Sequence, residues 1–263
     1  MAQWTGDRID LELGQVREVR IRIIGGDASI TVAPGPVRVE GEVVEGEPLE
    51  VELTDGILVV EQPTPRPILG LVGGARATCT VAVTVPDVEA VSVATVSADV
   101  VLGGVAGRVE TSTVSGTQTL TGLRGDLSIR TVSGQVEAQR LDGTLTANAV
   151  SGALTVAGGL LDRLTARTVS GDLTFDLDAV PDGSLTSVSG DIALRVPDGR
   201  GVELDVTTVS GRLDSAFPLV GEDRGRRHLR GRVGDGSRRL AVRTTSGDFA
   251  LLRRASTSDL VER

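Results

Sequence analysis

Along most of this chain apolar and polar residues alternate with a period of two, as in Val19-Arg20-Ile21-Arg22-Ile23, Leu127-Ser128-Ile129 and Leu173-Thr174-Phe175. That period sets every second side chain on one face of an extended strand, so each run predicts a half-buried β-strand. Helix-period runs are scarce and the 34 glycines punctuate the strands with tight corners, which together predict an all-β protein.

One corner recurs. Ser97, Ser115, Ser133, Ser151, Ser170, Ser189, Ser210 and Ser246 follow one another at steps of 18, 18, 18, 19, 19, 21 and 36, the last being two periods. Before each serine stands Val96, Val114, Val132, Val150, Val169, Val188 or Val209, with Thr245 in the final copy. After it come Gly116, Gly134, Gly152, Gly171, Gly190, Gly211 and Gly247, with Ala98 in the first copy. A glycine column reads as a backbone position that needs positive φ or close approach of a neighbour. Apolar residues lie four and six places before the serine (Val91 and Val93, Leu204 and Val206) and three and five places after it (Leu154 and Val156, Ile192 and Leu194). The inward parity therefore switches across the corner, as a sharp bend between Thr and Val would make it do.

A fixed period in this range marks a stacked architecture, in which one repeat cannot bury its own apolar face and its neighbours must do so. The fold class expected is an all-β, single-chain parallel β-helix: a β-solenoid with rungs of about 18 residues, right-handed by analogy with parallel-strand crossovers. Residues 1–78 alternate without the corner motif and are expected to form an N-terminal β cap or first irregular rungs, with a loop at 62–67. Residues 79–254 are expected to be the solenoid repeats, with an excursion at 212–239, and 255–263 a polar tail.

Hydrophobic residues make up 40% of the 263, enough for a core, but with three Phe, one Trp and no Tyr that core is aliphatic. All 27 basic residues are Arg, which excludes a Walker A loop, a Ser-x-x-Lys pair and a Schiff base. No run of about 18 apolar residues suggests a membrane span, and the opening Met1–Arg8 lacks a charged and apolar leader pattern. The lone Cys79 leaves no partner for an internal disulfide. A soluble, cytoplasmic protein is the expectation.

The motif copies Thr168-Val169-Ser170-Gly171-Asp172-Leu173 and Ser187-Val188-Ser189-Gly190-Asp191-Ile192, and the closing Thr244-Thr245-Ser246-Gly247-Asp248-Phe249, resemble a bacterial β-strand-repeat family of unknown function labelled "putative adhesin". The resemblance covers nearly the whole chain. It implies a toast-rack-like β-solenoid scaffold, in some relatives tied to envelope-stress systems, and it brings no catalytic residues.

The residues themselves point the same way. Eight serines cannot each own a general base when His228 is the one histidine, so the column Ser115, Ser133, Ser151, Ser170, Ser189 with its glycines Gly116, Gly134, Gly152, Gly171, Gly190 reads as a structural corner. Asp99, Asp172, Asp191 and Asp248 sit two places past the serine, but Thr117, Gln135, Ala153 and Arg212 interrupt them, so they read as solvated surface rather than a calcium ladder. His228 reads as surface and Cys79 as a small buried residue. Gly103-Gly104 and Gly158-Gly159 read as turns and Trp4 as a cap residue.

Charge is the one asymmetry: residues 1–61 carry 13 acidic against 5 basic side chains, and residues 221–254 carry 4 against 10. Arg224, Arg226, Arg227, Arg230 and Arg232 form a candidate partner-binding cluster for an anionic partner, or a solvated end-cap. The function expected is a non-catalytic scaffold or interaction protein that binds a protein partner or a second copy of itself, needing no cofactor or metal and no nucleic acid. The alternative, a carbohydrate-binding or carbohydrate-active β-helix, calls for paired carboxylates and aromatic platforms.

Overall fold

The computed structural model describes residues 2–63, 77–198 and 201–254. These residues form 24 strands and no helix. Pro63 follows the sixth strand outside any strand, while the remainder of the expected loop, 64–67, and the polar tail 255–263 lie outside the described residues. The chain divides into two compact units, residues 1–135 and 136–263.

In the first unit the strands are β1 (Ala2–Gly6), β2 (Arg8–Leu13), β3 (Glu18–Val32), β4 (Val37–Glu45), β5 (Leu49–Thr54), β6 (Ile57–Glu61), β7 (Thr78–Val85), β8 (Ala90–Gly103), β9 (Ala106–Thr113), β10 (Gln118–Thr121) and β11 (Arg124–Thr131). The repeat pairs in parallel and in register: Val109 lies opposite Leu127 and Val91, and Leu120 opposite Leu102. Each rung contributes one strand before the corner and one after it, so the unit has two faces with the apolar side chains between them. Val91, Val93, Val100, Leu102, Leu127 and Ile129 are all buried, as the alternation predicts.

The burial pattern also explains the parity switch. Thr95 and Ala98 face inward while Val96 and Ser97 between them are exposed, and Thr131 and Gly134 likewise bracket the exposed Val132 and Ser133. Two consecutive outward residues make the bend.

The N-terminal residues, though without the Thr-Val-Ser-Gly motif, hold a corner of their own. Strand β3 pairs with β8 along its length, with Gly25 opposite Ser97, Gly26 opposite Ala98 and Asp27 opposite Asp99. It is a corner rung in which Gly-Gly stands where later copies have Ser-Gly. On its other side β3 pairs in parallel with β6 through Glu18–Arg22 and with β7 through Gly26–Val32. The first corner rung of the chain therefore lies between strands that come later in sequence. Antiparallel strands then cover both faces: β5 on β6 and β1 on β5 over one, β4 on β7 and β2 on β4 over the other.

In the second unit the strands are β12 (Val136–Gln139), β13 (Asp142–Ser151), β14 (Leu154–Ala157), β15 (Leu161–Ser170), β16 (Leu173–Asp176), β17 (Asp182–Ser189), β18 (Ile192–Val196), β19 (Val202–Ser210), β20 (Leu213–Ser215), β21 (Val220–Arg224), β22 (His228–Val233), β23 (Arg238–Ser246) and β24 (Phe249–Arg253). Parallel ladders run β13–β15–β17–β23–β19 on one face and β12–β14–β16–β18–β24–β20 on the other. Ser246 thus lies opposite both Ser189 and Ser210, and the last rung of the chain is inserted between two earlier ones. The excursion at 212–239 is the reason for the long final step: after β20 the chain makes the antiparallel hairpin β21–β22, lays β22 on β19, and returns into the ladder.

Candidate functional site

The corner column is the feature every rung presents. Its serines point outward, and two of their hydroxyls donate to the backbone of the adjacent rung: Ser97 Oγ to Ile24 O and Ser115 Oγ to Val96 O, both at 3.3 Å. Ser133 donates its amide to Val114 O at 2.8 Å. In the second unit Ser151 lies opposite Ser170 and Ser170 opposite Ser189, while Gly152, Gly171 and Gly190 donate their amides to Ser170, Ser189 and Ser246. The glycine requirement is close approach as much as conformation. Gly116 has a positive φ of 124°, whereas Gly134 does not, yet a Cβ on either would overlap the carbonyl oxygen of the residue stacked beside it, Ala98 or Gly116. Ala98 is tolerated where β8 runs unbroken through the corner, opposite the equally unbroken β3.

Inside the corner stand buried hydroxyls. Thr131 Oγ1 accepts the Gly134 amide at 2.9 Å, and Thr95 Oγ1 donates to Thr113 Oγ1 at 3.1 Å. Thr168, Ser187, Thr244 and Thr208, stacked in that order, have buried hydroxyls with no partner among the described residues. Outside the corner the valines form a column: Val96, Val114 and Val132 in the first unit and Val150, Val169, Val188 and Val209 in the second are between 43% and 58% exposed. Neighbouring strands stack about 4.8 Å apart, so within each unit these side chains make a narrow apolar stripe on a polar surface, broken in the second unit by Thr245, whose rung lies between those of Val188 and Val209.

The aspartates of the column are not simply solvated. Asp99 Oδ1 accepts the Thr117 amide at 2.7 Å, Asp172 Oδ1 the Asp191 amide at 2.9 Å and Asp191 Oδ1 the Asp248 amide at 2.8 Å. Asp248 then accepts the Arg212 amide at 2.8 Å and the Arg212 guanidinium at 2.6 Å. Each carboxylate satisfies a backbone N–H of the next rung where the ladder is broken by the bend, as an N-cap does at a helix start. Arg212, which interrupts the aspartates along the sequence, closes the series because its rung stacks on that of Asp248 and has no corner rung beyond it among the described residues. The Arg212 amide, and then its guanidinium, hold Asp248 below the usual carboxylate range.

The arginine cluster divides. Arg224 Nε pairs with Glu222 at 2.6 Å and Arg230 Nε with Asp205 at 3.0 Å. Arg226 and Arg227, at the tip of the β21–β22 hairpin, and Arg232 on β22 are exposed and make no ion pair with any described residue. His228 Nε2 lies 3.0 Å from Asp223 Oδ1 in a half-exposed pair. Cys79 is buried, its thiol donating to Gln62 Oε1 at 3.5 Å, and burial, with a smaller push from Asp27, raises its pKa to about 11. Such a thiol is a packing group rather than a nucleophile.

Other polar groups in the core carry a structural load. Gln118 occupies an inward position that is apolar in other copies; its Oε1 accepts from Thr111 Oγ1, and its Nε2 donates to Arg130 O at 3.3 Å. Asp176 is held low by Arg195 first and then Arg254, and Asp178 by Arg254 first and then the Gly159 amide. Phe175 and Phe249 are fully buried and Phe217 nearly so, so none of the three rings stands on the surface as a stacking platform. Among the described residues no group of three or more His, Cys, Asp or Glu is placed to hold a metal ion, and no helix is long and apolar enough to cross a membrane.

Two faces of stacked parallel strands joined by a repeated corner define a β-repeat protein of the toast-rack type. The chain belongs to the family described as Toastrack DUF4097, a domain of unknown function, whose model matches residues 80–252. The crystal structure of a "putative lipid binding protein" from Parabacteroides distasonis is similar at 12% identity and a TM-score of 0.51, covering 94% of this chain and 96% of that one. A "putative adhesin" from Bacteroides fragilis is similar at 11% identity and a TM-score of 0.51, covering 95% and 97%. At these identities the likeness is one of fold. No curated protein matches the chain.

Proposed function

We infer that the protein is a non-catalytic interaction scaffold that presents the valine column of its corners to a protein partner. The observation that carries this is the exposure of valines at the same place in the rungs of each unit, Val96, Val114 and Val132 in the first and Val150, Val169 and Val188 in the second, with Val209 beyond the rung of Thr245, while the residue just before most of them, such as Thr95, Thr131, Thr168 and Ser187, is buried. A surface that only needed solubility would carry polar residues there, and repeated apolar side chains on a rigid backbone are what a binding surface offers. The unpaired Arg226, Arg227 and Arg232 supply positive charge suited to an acidic flank of such a partner. The winding is read as right-handed, with about 18 residues per turn and residues 1–78 as its cap and first irregular rungs.

The carbohydrate alternative has less support. Of aromatic platforms the surface offers only the half-buried Trp4, the phenylalanines being in the core, and the corner carboxylates that might pair for hydrolysis accept backbone amides instead. The test is site-specific photo-crosslinking in the cells that make the protein. Probes at positions 150, 169 and 188 are expected to trap one recurrent protein, and a probe at Thr174 on the flat second face is expected to trap none of it. The same yield from Thr174 as from the corner, or no product from any corner position, overturns the reading.

A further inference from the structure

The two faces of the C-terminal unit are closed unequally. One is covered by the antiparallel β22, whereas among the described residues the other stops at the three-residue β20, whose one neighbour there is β24. Against the loop that follows β20 the space between the faces stays open as a cavity of about 380 Å³. Its floor is apolar, formed by the buried Val196, Val202 and Leu251, and the loop after β20 leans Phe217 against one side. Val220 stands exposed at the lip.

One cation stands at the rim. The guanidinium of Arg253 lies 5.1 Å from the centre of the Phe217 ring, and its Nε is 3.2 Å from Asp198 Oδ1. Its two terminal nitrogens hold no partner among the described residues. The adjacent Arg254 is spent on Asp176 and Asp178, so of the two neighbouring arginines the one at the cavity is the one with free donors. The surrounding segment, residues 221–254, is strongly basic.

We propose that this cavity takes the alkyl chain of a single-chain anionic amphiphile, a fatty carboxylate, whose headgroup is held by Arg253. A volume of this size falls in the range of small-molecule pockets, roughly 300 to 1,000 Å³. The apolar floor removes methylenes from water, and a planar guanidinium with two free nitrogens matches a carboxylate. A peptide inserting one apolar side chain would leave the terminal nitrogens of Arg253 unused, and a cationic amphiphile would have to compete with Arg253 for Asp198, the one carboxylate of the lining. This site lies apart from the valine column, and its test does not depend on that reading.

The test is isothermal titration calorimetry of the full chain with octanoate, decanoate and dodecanoate below their micellar concentrations. Affinity rises about fourfold per added methylene, the equivalent of about 0.8 kcal/mol, until the chain outgrows the cavity. Arg253→Gln weakens decanoate at least tenfold and leaves decanol within twofold, while Arg253→Lys, which keeps the charge, stays closer to the parent. Val220→Asp at the exposed lip weakens both ligands, with circular dichroism checking that each variant is folded. Absence of saturable binding at every chain length overturns the proposal, as does decanoate affinity unchanged in Arg253→Gln, or decyltrimethylammonium binding as tightly as decanoate.

Discussion

The first strands of the N-terminal unit and the last strands of the C-terminal unit solve the same problem with different completeness. A stack of parallel rungs ends in unpaired strand edges, which invite pairing with other chains. In the N-terminal unit the chain's first corner rung, β3, sits between β6–β7 and β8, and antiparallel strands cover both faces. The outermost β2 presents Arg8, Asp10 and Glu12 to solvent, a charged edge that resists further pairing. In the C-terminal unit the chain's last rung, β23–β24, is likewise inserted one place inward, between β17–β18 and β19–β20. Here, among the described residues, only one face receives an antiparallel cover, and the loop that follows the edge strand of the other borders the apolar cavity. The difference teaches that inserting a terminal rung anchors the chain end, whereas closing the core is a separate task for the antiparallel strands.

Truncation after Ser237 should have the largest effect. It removes β23 and β24, strips both neighbours of their partners, and exposes the buried Leu240, Val242, Phe249 and Leu251. Stabilities of ordinary domains are about 5 to 15 kcal/mol, and losing two interior ladders exceeds what the C-terminal unit can absorb. Limited proteolysis should degrade residues 136–237 while the N-terminal unit persists. Deleting β1, which among the described strands pairs with β5 alone, should leave both units resistant.

Next in size are the corner glycines. Gly134→Val and Gly171→Val each force a Cβ into a stacked carbonyl, and a loss of about 1 to 3 kcal/mol in urea denaturation is expected. An unmoved midpoint for Gly134 would mean that the rungs do not approach as closely as the stacking requires.

A smaller effect belongs to the aspartate series. Asp191→Ala frees the Asp248 amide and should cost about 1 kcal/mol, comparable to losing a helix N-cap, whereas Asp126→Ala, an exposed aspartate of the first unit, should change the midpoint by less than about 0.5 kcal/mol.

The mildest contrast is in acid. Asp176, Asp178, Asp182, Asp235 and Asp248, all in the C-terminal unit, have pKa values lowered by arginines or backbone amides. A lowered folded-state value contributes stability that is present above the unfolded-state pKa, about 3.9, and is lost as pH falls through the folded value. Below about pH 4 the C-terminal unit should therefore lose stability progressively, which urea titrations at pH 7 and pH 3 monitored by hydrogen exchange would resolve unit by unit.

The strands were legible because burial follows alternation directly, and residues such as Leu127, Ile129, Leu173 and Phe175 are inside as their spacing requires. The corner was legible because its glycine must pass close to a stacked carbonyl while the residue before the valine turns inward. The order of the rungs was not, since nothing local tells β23 to lie between β17 and β19; that is decided by which stacked edges remain to be paired. The corner at Gly25-Gly26-Asp27 was hidden because Gly replaces Ser, although the Gly-Asp pair that also closes the copies at 171–172, 190–191 and 247–248 is present. The Asp staples needed the spatial neighbours before their role could be seen. In the repeat holding Thr111 and Gln118, two normally apolar columns are polar together, a signal of a buried hydrogen-bonded pair.

The most direct test of rung insertion is hydrogen–deuterium exchange read by mass spectrometry on the intact protein. With a paired strand on each side, the amides of 240–246 should exchange far more slowly than those of the edge strand β21 at 220–224, despite lying closer to the chain's C-terminus. The amides of 19–31 should likewise outlast those of β1. Exchange in 240–246 as fast as in β21 would show that the last rung is an outer strand and would contradict the inserted arrangement.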